Sequence, residues 1–347
     1  VRVIVMSIVQ LVVEVVTWAP LWQLLVFGLV VPLGLVVFIL WLERKMTARV
    51  QRRIGPLHVS PQLGGALQLV ADLFRYMFQE IIIPRTADRS VFVLAPLAGL
   101  ILSVVPIVAI PLTSNPTYWP IPMDYSMLVA LALLTVSPIF LVLAGWASNN
   151  KFSIIGGVRE AFMITAYELI TILAFLSATA MTGSYNLVDI VEAQRASTYF
   201  AILNPPAFLA AFIATLMATS GFPFEIPESE NEVVAGPFTE YSGLLYGMNM
   251  GAGYLKRFIF SVLIVIVFLG GWSPVTPGEG FLAGYLIPAI VVIVKATILM
   301  AIFSFFRSVY GRYRLDQALH LAWKVLFPLA IAGFGLGLLE AYFGLVG

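Results

Sequence analysis

Residues 127–147 read MLVALALLTVSPIFLVLAGWA, an unbroken run without a single charge. A hydrocarbon core about 30 Å thick is crossed by roughly 20 apolar residues of α-helix, so this stretch has the length and character of a transmembrane span. Comparable runs lie near Leu21–Leu42, Val91–Leu112, Ala161–Thr182, Tyr199–Thr219, Phe258–Trp272 (with a start as early as Leu244), Phe281–Phe306 and Trp323–Leu345. The pattern predicts an all-α polytopic membrane protein of about eight transmembrane helices, with residues 1–347 forming a single transmembrane domain. Composition agrees: 61% of the chain is hydrophobic and 11% charged, with mean hydropathy +0.99, whereas a soluble domain carries about 25% charge. Soluble, disordered and fibrous classes are thereby excluded. Val1–Trp18 is also apolar but holds Arg2 and Glu14. Glu14 spoils the apolar core of a leader peptide, so a retained interfacial or extended helix is expected there.

The charges that remain are informative. Nineteen Lys and Arg nearly balance eighteen Asp and Glu, for a net charge of +1, which gives no nucleic-acid signal. The absence of cysteine removes disulfides, iron–sulfur clusters and thiolate metal sites. His58 and His320 both fall in polar stretches and suggest neither haem nor zinc. No metal or cofactor is therefore expected on this chain, and any redox centre belongs to a neighbour. Sixteen of the nineteen basic residues fall on alternate connections: eight within residues 43–90, then Lys151 and Arg159, Lys256 and Arg257, and finally Arg307, Arg312, Arg314 and Lys324. By the positive-inside rule those connections are cytoplasmic and both termini lie outside, in the cell membrane.

Two cytoplasmic segments are too long to be turns. The basic one, residues 43–90, contains Leu67, Val70, Ala71, Phe74, Met77 and Phe78 at helical spacing, with Gln68, Asp72, Arg75 and Gln79 opposite. This is an amphipathic helix for the membrane surface or the underside of a partner. Its cluster Arg44, Lys45, Arg49, Arg52 and Arg53 either anchors the chain on the positive side or holds acidic partner surface or lipid head groups. The acidic segment, residues 221–243, carries Glu225, Glu228, Glu230, Glu232 and Glu240 among Phe, Pro and Val. Carboxylates interleaved with apolar residues tend to titrate together at raised pKa, which suits proton or cation handling under a partner. Inside the spans, Glu168 and Lys295 are costly to bury and mark an ion path or a buried pair; Glu160 stands near a membrane boundary, and Glu340 near an outer end.

Several of these strings resemble a known family. Leu42-Glu43-Arg44-Lys45 and Arg53-Ile54-Gly55-Pro56, then Leu67-Gln68, Ala71-Asp72 and Ala87-Asp88-Arg89, are similar to the first cytoplasmic region of the quinone-site membrane subunit of respiratory complex I and its homologues in membrane-bound hydrogenase and sulfur-reductase complexes. Gly145-Trp146-Ala147-Ser148-Asn149-Asn150-Lys151, Gly156-Gly157-Val158-Arg159, Tyr167-Glu168, Pro223-Phe224-Glu225 through Glu232 and Glu240-Tyr241-Ser242 continue the match. So do Gly270-Gly271-Trp272, Lys295 and Arg312 through Gln317, so that the resemblance covers roughly residues 21–335.

The resemblance implies a tilted helical bundle at the joint between a hydrophilic redox arm and an ion-pumping membrane arm, with no catalysis by the chain alone. It implies proton or ion coupling through Glu168, Glu225, Glu228, Glu230, Glu232, Glu240 and Lys295, and a redox-arm interface or chamber at Arg44, Arg53, Asp72 and Arg159. The implied partners are redox-arm subunits, including the proximal iron–sulfur subunit, together with small and antiporter-like membrane subunits and lipid. Iron–sulfur clusters, and either quinone or a nickel–iron centre, would sit in or beside those partners. Some positions depart from the family pattern: a Glu and an Arg that usually precede the Pro-Phe string are replaced by Ala218 and Gly221, and another Glu by Gly253. These departures lean the expectation toward a ferredoxin-dependent hydrogenase or sulfur-reductase branch, with the quinone-reducing branch as the alternative. A stand-alone ion transporter is a second alternative, though no inverted repeat or paired broken helices support it. A purely structural anchor would have no need of Glu168 or Lys295.

Overall fold

The computed structural model describes residue 26 and residues 30–116, 119, 124–278 and 281–344. The expected interfacial helix at Val1–Trp18 and most of the first half of the run at Leu21–Leu42 lie outside the described residues. Everything regular in the described residues is helical. Helix α1 spans Val31–Val50, α2 Leu67–Phe78, α3 Arg89–Ala109, α4 Ser126–Ala147 and α5 Lys151–Thr182. Then come α6 Leu187–Ala196, α7 Pro205–Ala218, α8 Gly243–Phe268, α9 Leu282–Val309 and α10 Leu315–Tyr342. Six of these (α3, α4, α5, α8, α9 and α10) are long and apolar enough to cross a membrane.

The local chemistry sets where helices begin. The carboxylate of Asp88 accepts from the amides of Ser90 and Val91 to start α3; Asn150 caps α5 at Phe152, and Asn186 caps α6 at Val188. Such caps satisfy amides that have no partner within the helix and contribute about 1 kcal/mol each. Helix α5 stops at Gly183, whose φ of +70° suits a residue without Cβ.

Two expectations need correction. The run Tyr199–Thr219 is not one span: Pro205 has no amide to donate and disfavours helical backbone at Asn204. A single turn, Phe200–Leu203, is followed by a fresh start at α7, capped by Asn204 on the Ala207 amide. The fourteen residues of α7 extend only about 21 Å at 1.5 Å per residue. In addition, residues 43–50, expected in a cytoplasmic loop, continue α1 as helix to Val50, which puts Glu43 on a helix wall instead of in a connection.

Helix α8 is the innermost element, buried without interruption from Leu255 to Phe268. It packs against α3, α9 and α2, while α5 packs against α4, α7 and α10. An aromatic core joins them: Phe212 lies 4.8 Å from Phe303, Phe208 5.9 Å from Phe268 and Phe175 5.8 Å from Phe268, ring separations at which aromatic pairs attract. The expected amphipathic helix is α2. Tyr76 packs 5.5 Å from Tyr246 of α8, while Phe74, Met77 and Phe78 stay exposed.

Candidate functional site

Glu43 organises one end of the bundle. It is 4% exposed and accepts a hydrogen bond from Arg307 Nη1 of α9. The Tyr254 hydroxyl donates to it at 3.4 Å, the Ser304 hydroxyl at 3.4 Å, and Arg257 Nη1 of α8 stands 3.8 Å away. Arg307 reaches further, with Nη2 3.9 Å from Glu225 of the acidic segment. One charged network thus ties α1, α8 and α9 to that segment. A guanidinium suits this use, because its planar fork serves two acceptors at once and stays charged. The same cations face rings: Arg257 lies 5.0 Å from the Tyr254 centroid and Arg307 5.7 Å from that of Phe222.

Lys256 and Arg257, expected in a cytoplasmic connection, are buried within α8, at 5% and 7% exposure. The reason is that the apolar run begins near Gly243 and carries both cations into the bundle. Their heads meet the last residue of α7 and the one that follows it. Lys256 Nζ donates to the Ala218 carbonyl at 2.6 Å, and Arg257 Nε to the Thr219 hydroxyl at 3.3 Å. A Cβ placed on Gly221 would lie only 2.9 Å from Arg257 Nη2. The guanidinium therefore fills the space that a side chain at 221 would need.

The acidic segment folds onto α5 because two glycines let it. A Cβ on Gly156 would meet Pro237 Cδ at 2.6 Å, and one on Gly236 would meet the Pro227 carbonyl oxygen at 1.8 Å; Gly236 also sits at φ +54°. Phe224, Ile226, Val233 and Phe238 are buried by this packing. The glutamates then divide. Glu232 pairs with Arg159 of α5, Glu240 accepts from Asn150, and Glu230 is exposed. Burial pushes the Glu225 carboxyl above its usual range, against the pull of Arg307. Glu228 is pushed up to about 8, first by burial and then by the charges of Glu225 and Glu160, with Arg307 and Arg257 opposing. A carboxyl in that position can hold and release a proton near neutral pH.

Glu228 lines a cavity of about 60 Å³ together with Glu160, Lys256, Ser220, Asn249 and Gly253. A polar-lined space needs only about 10–15 Å³ to admit a water molecule, so this one is large enough for water. Sequence reasoning passes over Glu43, Lys256, Arg257 and Arg307 as functional residues. The early start of the α8 run is the available signal for the two α8 cations, and Glu43 is visible only as part of a motif.

A family model described as NADH dehydrogenase matches residues 22–337. The chain belongs to the NADH dehydrogenase family. It is 38% identical to the H subunit of NADH-quinone oxidoreductase from Geobacillus thermodenitrificans over 303 residues, covering 87% of this chain and 89% of that one. It is 36% identical to the corresponding protein of Carboxydothermus hydrogenoformans, over 86% and 84% of the two chains, and 36% identical to that of Pelagibacter ubique, over 88% and 90%.

The resemblance drawn from the loop motifs is thus borne out, whereas the lean toward a hydrogenase or sulfur-reductase branch finds no support among these relatives. That lean rests partly on a missing arginine at Gly221, a position beside which the Arg257 guanidinium stands. For this NADH dehydrogenase family member, the remaining predicted site residues fall as follows. Arg44 of α1 pairs with Asp72 of α2 at 2.8 Å, and Asp72 also accepts from Gln68 at 3.1 Å. Arg53 is exposed and donates to Gln51 at 2.7 Å. Glu168 lies on α5 within electrostatic reach of Lys256. Lys295 stands apart: its ammonium donates to the carbonyls of Leu269, Gly271 and Ser273 at 2.8, 3.0 and 2.6 Å. With all three donors engaged on the turn after α8, Lys295 fastens that turn to α9.

Proposed function

We propose that this chain is the membrane subunit that seats the hydrophilic redox arm of an NADH-quinone-type oxidoreductase and couples its electron transfer to ion movement across the membrane. The observation that carries the reading is the Glu43–Arg307–Glu225 connection. It joins the transmembrane helices to an acidic segment in which burial raises the Glu225 carboxyl and pushes Glu228 up to about 8. Reorganisation of charge at the arm can therefore shift proton occupancy inside the bundle, which is what a coupling element needs. Glu225 and Glu228 take protons from the arm side; Glu168 lies on the onward path; Glu230, Glu232 and Glu240 shape and orient the segment. We take the translocated ion to be a proton, because a carboxyl poised near 8 exchanges protons in the working pH range.

In this reading the long loops face the cytoplasm and both termini face outward in the cell membrane. Arg44, Asp72, Arg53 and Arg159 brace the surface that receives the redox-arm subunits, and the exposed ring face of α2 meets lipid or a neighbouring subunit. The chain holds no redox centre itself: iron–sulfur clusters belong to the proximal redox-arm subunit, and antiporter-like and small membrane subunits receive the coupling signal. Quinone is the acceptor favoured by the names of the relatives. The test is to purify the chain in mild detergent. Recovery in a large assembly with iron–sulfur subunits, together with loss of ion translocation but not of electron transfer in Glu168→Gln, supports the reading. Recovery alone, as a protein that transports ions in liposomes by itself, overturns it.

A further inference from the structure

The acidic segment and Glu168 leave a gap that the cavity fills. Glu160 of α5 is 1% exposed, projects into the cavity, and receives the Ser220 hydroxyl at 3.3 Å. Across the cavity stands Lys256 of α8, 5% exposed, with one hydrogen bond to the Ala218 carbonyl and its ammonium 5.5 Å from the Tyr167 ring. An ammonium has three donors, so two remain for cavity water. The Asn249 side-chain nitrogen, also on the cavity wall, is buried without a protein partner and is a further water ligand. Glu160 and Lys256 are too far apart for a direct ion pair within 4 Å, yet the charge of Lys256 is felt by both Glu160 and Glu168. A merely structural pair would be expected to close to contact, since contact is what offsets desolvation. Here the two stand apart on the walls of a cavity that Glu228 also lines.

We propose that Glu160 and Lys256 form an internal proton-transfer site, fed through cavity water by Glu228 and delivering to Glu168. This rests on the coupling role proposed above and adds the step between the loop and the transmembrane carboxylate. In the transfer, the Glu228 carboxyl gives its proton to a cavity water chain, and the chain's far end protonates Glu160. Glu228 is left as carboxylate and Glu160 as neutral acid; Glu160 then gives that proton to the Glu168 carboxylate and returns to carboxylate, with no electrons exchanged. Lys256 keeps its proton and lowers the cost of a carboxylate at Glu160 or Glu168, whichever is ionised, so that the negative charge alternates about a fixed cation. Gly253, which has open space where a Cβ would stand, leaves the wall clear for the water.

The test uses the intact assembly in sealed vesicles, with protons translocated per electron as the readout. Glu160→Gln should lose translocation while keeping electron transfer. The double variant Glu160→Gln with Lys256→Gln, which removes the buried charges as a pair, should assemble normally and still fail to translocate. Restored translocation in the double variant would mean a structural pair and overturn the proposal. Glu160→Asp keeps charge and fold. It should shift a carboxyl infrared band that changes when the native assembly is reduced, and an unshifted band would also overturn the proposal. Glu228→Gln separates the two readings. If it uncouples while Glu160→Gln does not, the coupling role stands and this site falls; if neither uncouples, both fall.

Discussion

At the scale of single residues, the proposed coupling role rests on carboxyls whose surroundings set their charge. Glu228 is held up to about 8 against a usual value of 4.5, so between those values the folded state binds more protons than the unfolded one. Its contribution to stability is then greatest below about 4.5 and falls as pH rises to about 8. The thermal stability of the assembly should fall across that window, and Glu228→Gln should flatten the decline; an unchanged slope would mean that Glu228 is an ordinary solvated carboxylate. Glu43 is a buried carboxylate set between two guanidiniums. Removing one partner of such a group typically costs about 3–5 kcal/mol, so Glu43→Ala should sharply lower the melting temperature of the purified assembly. The acidic segment can be read from sequence because five glutamates among prolines and phenylalanines make a poor free loop. Glu43 and Arg307 cannot be paired that way: they are 264 positions apart, and only tertiary packing brings them together.

At the scale of elements, small residues decide which surfaces meet. Gly156 lets the acidic segment lie against α5, with Pro237 and Gly236 where a methyl group would go. Gly156→Ala forces these apart and should destabilise the contact by about 1–3 kcal/mol, the usual cost of overpacking. The measurable consequence is faster protease cleavage within residues 221–243; cleavage at the wild-type rate would show that the segment is held by other contacts. Helical spans are legible wherever an apolar run is continuous, as at α4, and the surface helix α2 is legible from its spacing. Reading fails where one proline outweighs hydropathy, at Asn204-Pro205. It fails again where charge masks a span: Lys256 and Arg257 look like a loop, although α8 carries both inside.

At the scale of the whole molecule, the chain is a helical bundle whose charged interior opens toward one acidic segment, and membership of the NADH dehydrogenase family gives that arrangement its setting. If quinone is the acceptor, quinone-site inhibitors should block turnover of the native assembly; turnover unaffected by them would restore the hydrogenase or sulfur-reductase alternative. The fold class and the broad setting are both present in the sequence, through hydropathy and loop motifs. The cavity is not, because it is made by side chains from α3, α4, α5, α7, α8 and the acidic segment together. The most direct test of coupling through that segment is the number of protons translocated per electron by the Glu228→Gln assembly in sealed vesicles. The coupling role predicts a loss of translocation with electron transfer preserved; a ratio equal to that of the unmodified assembly would contradict it.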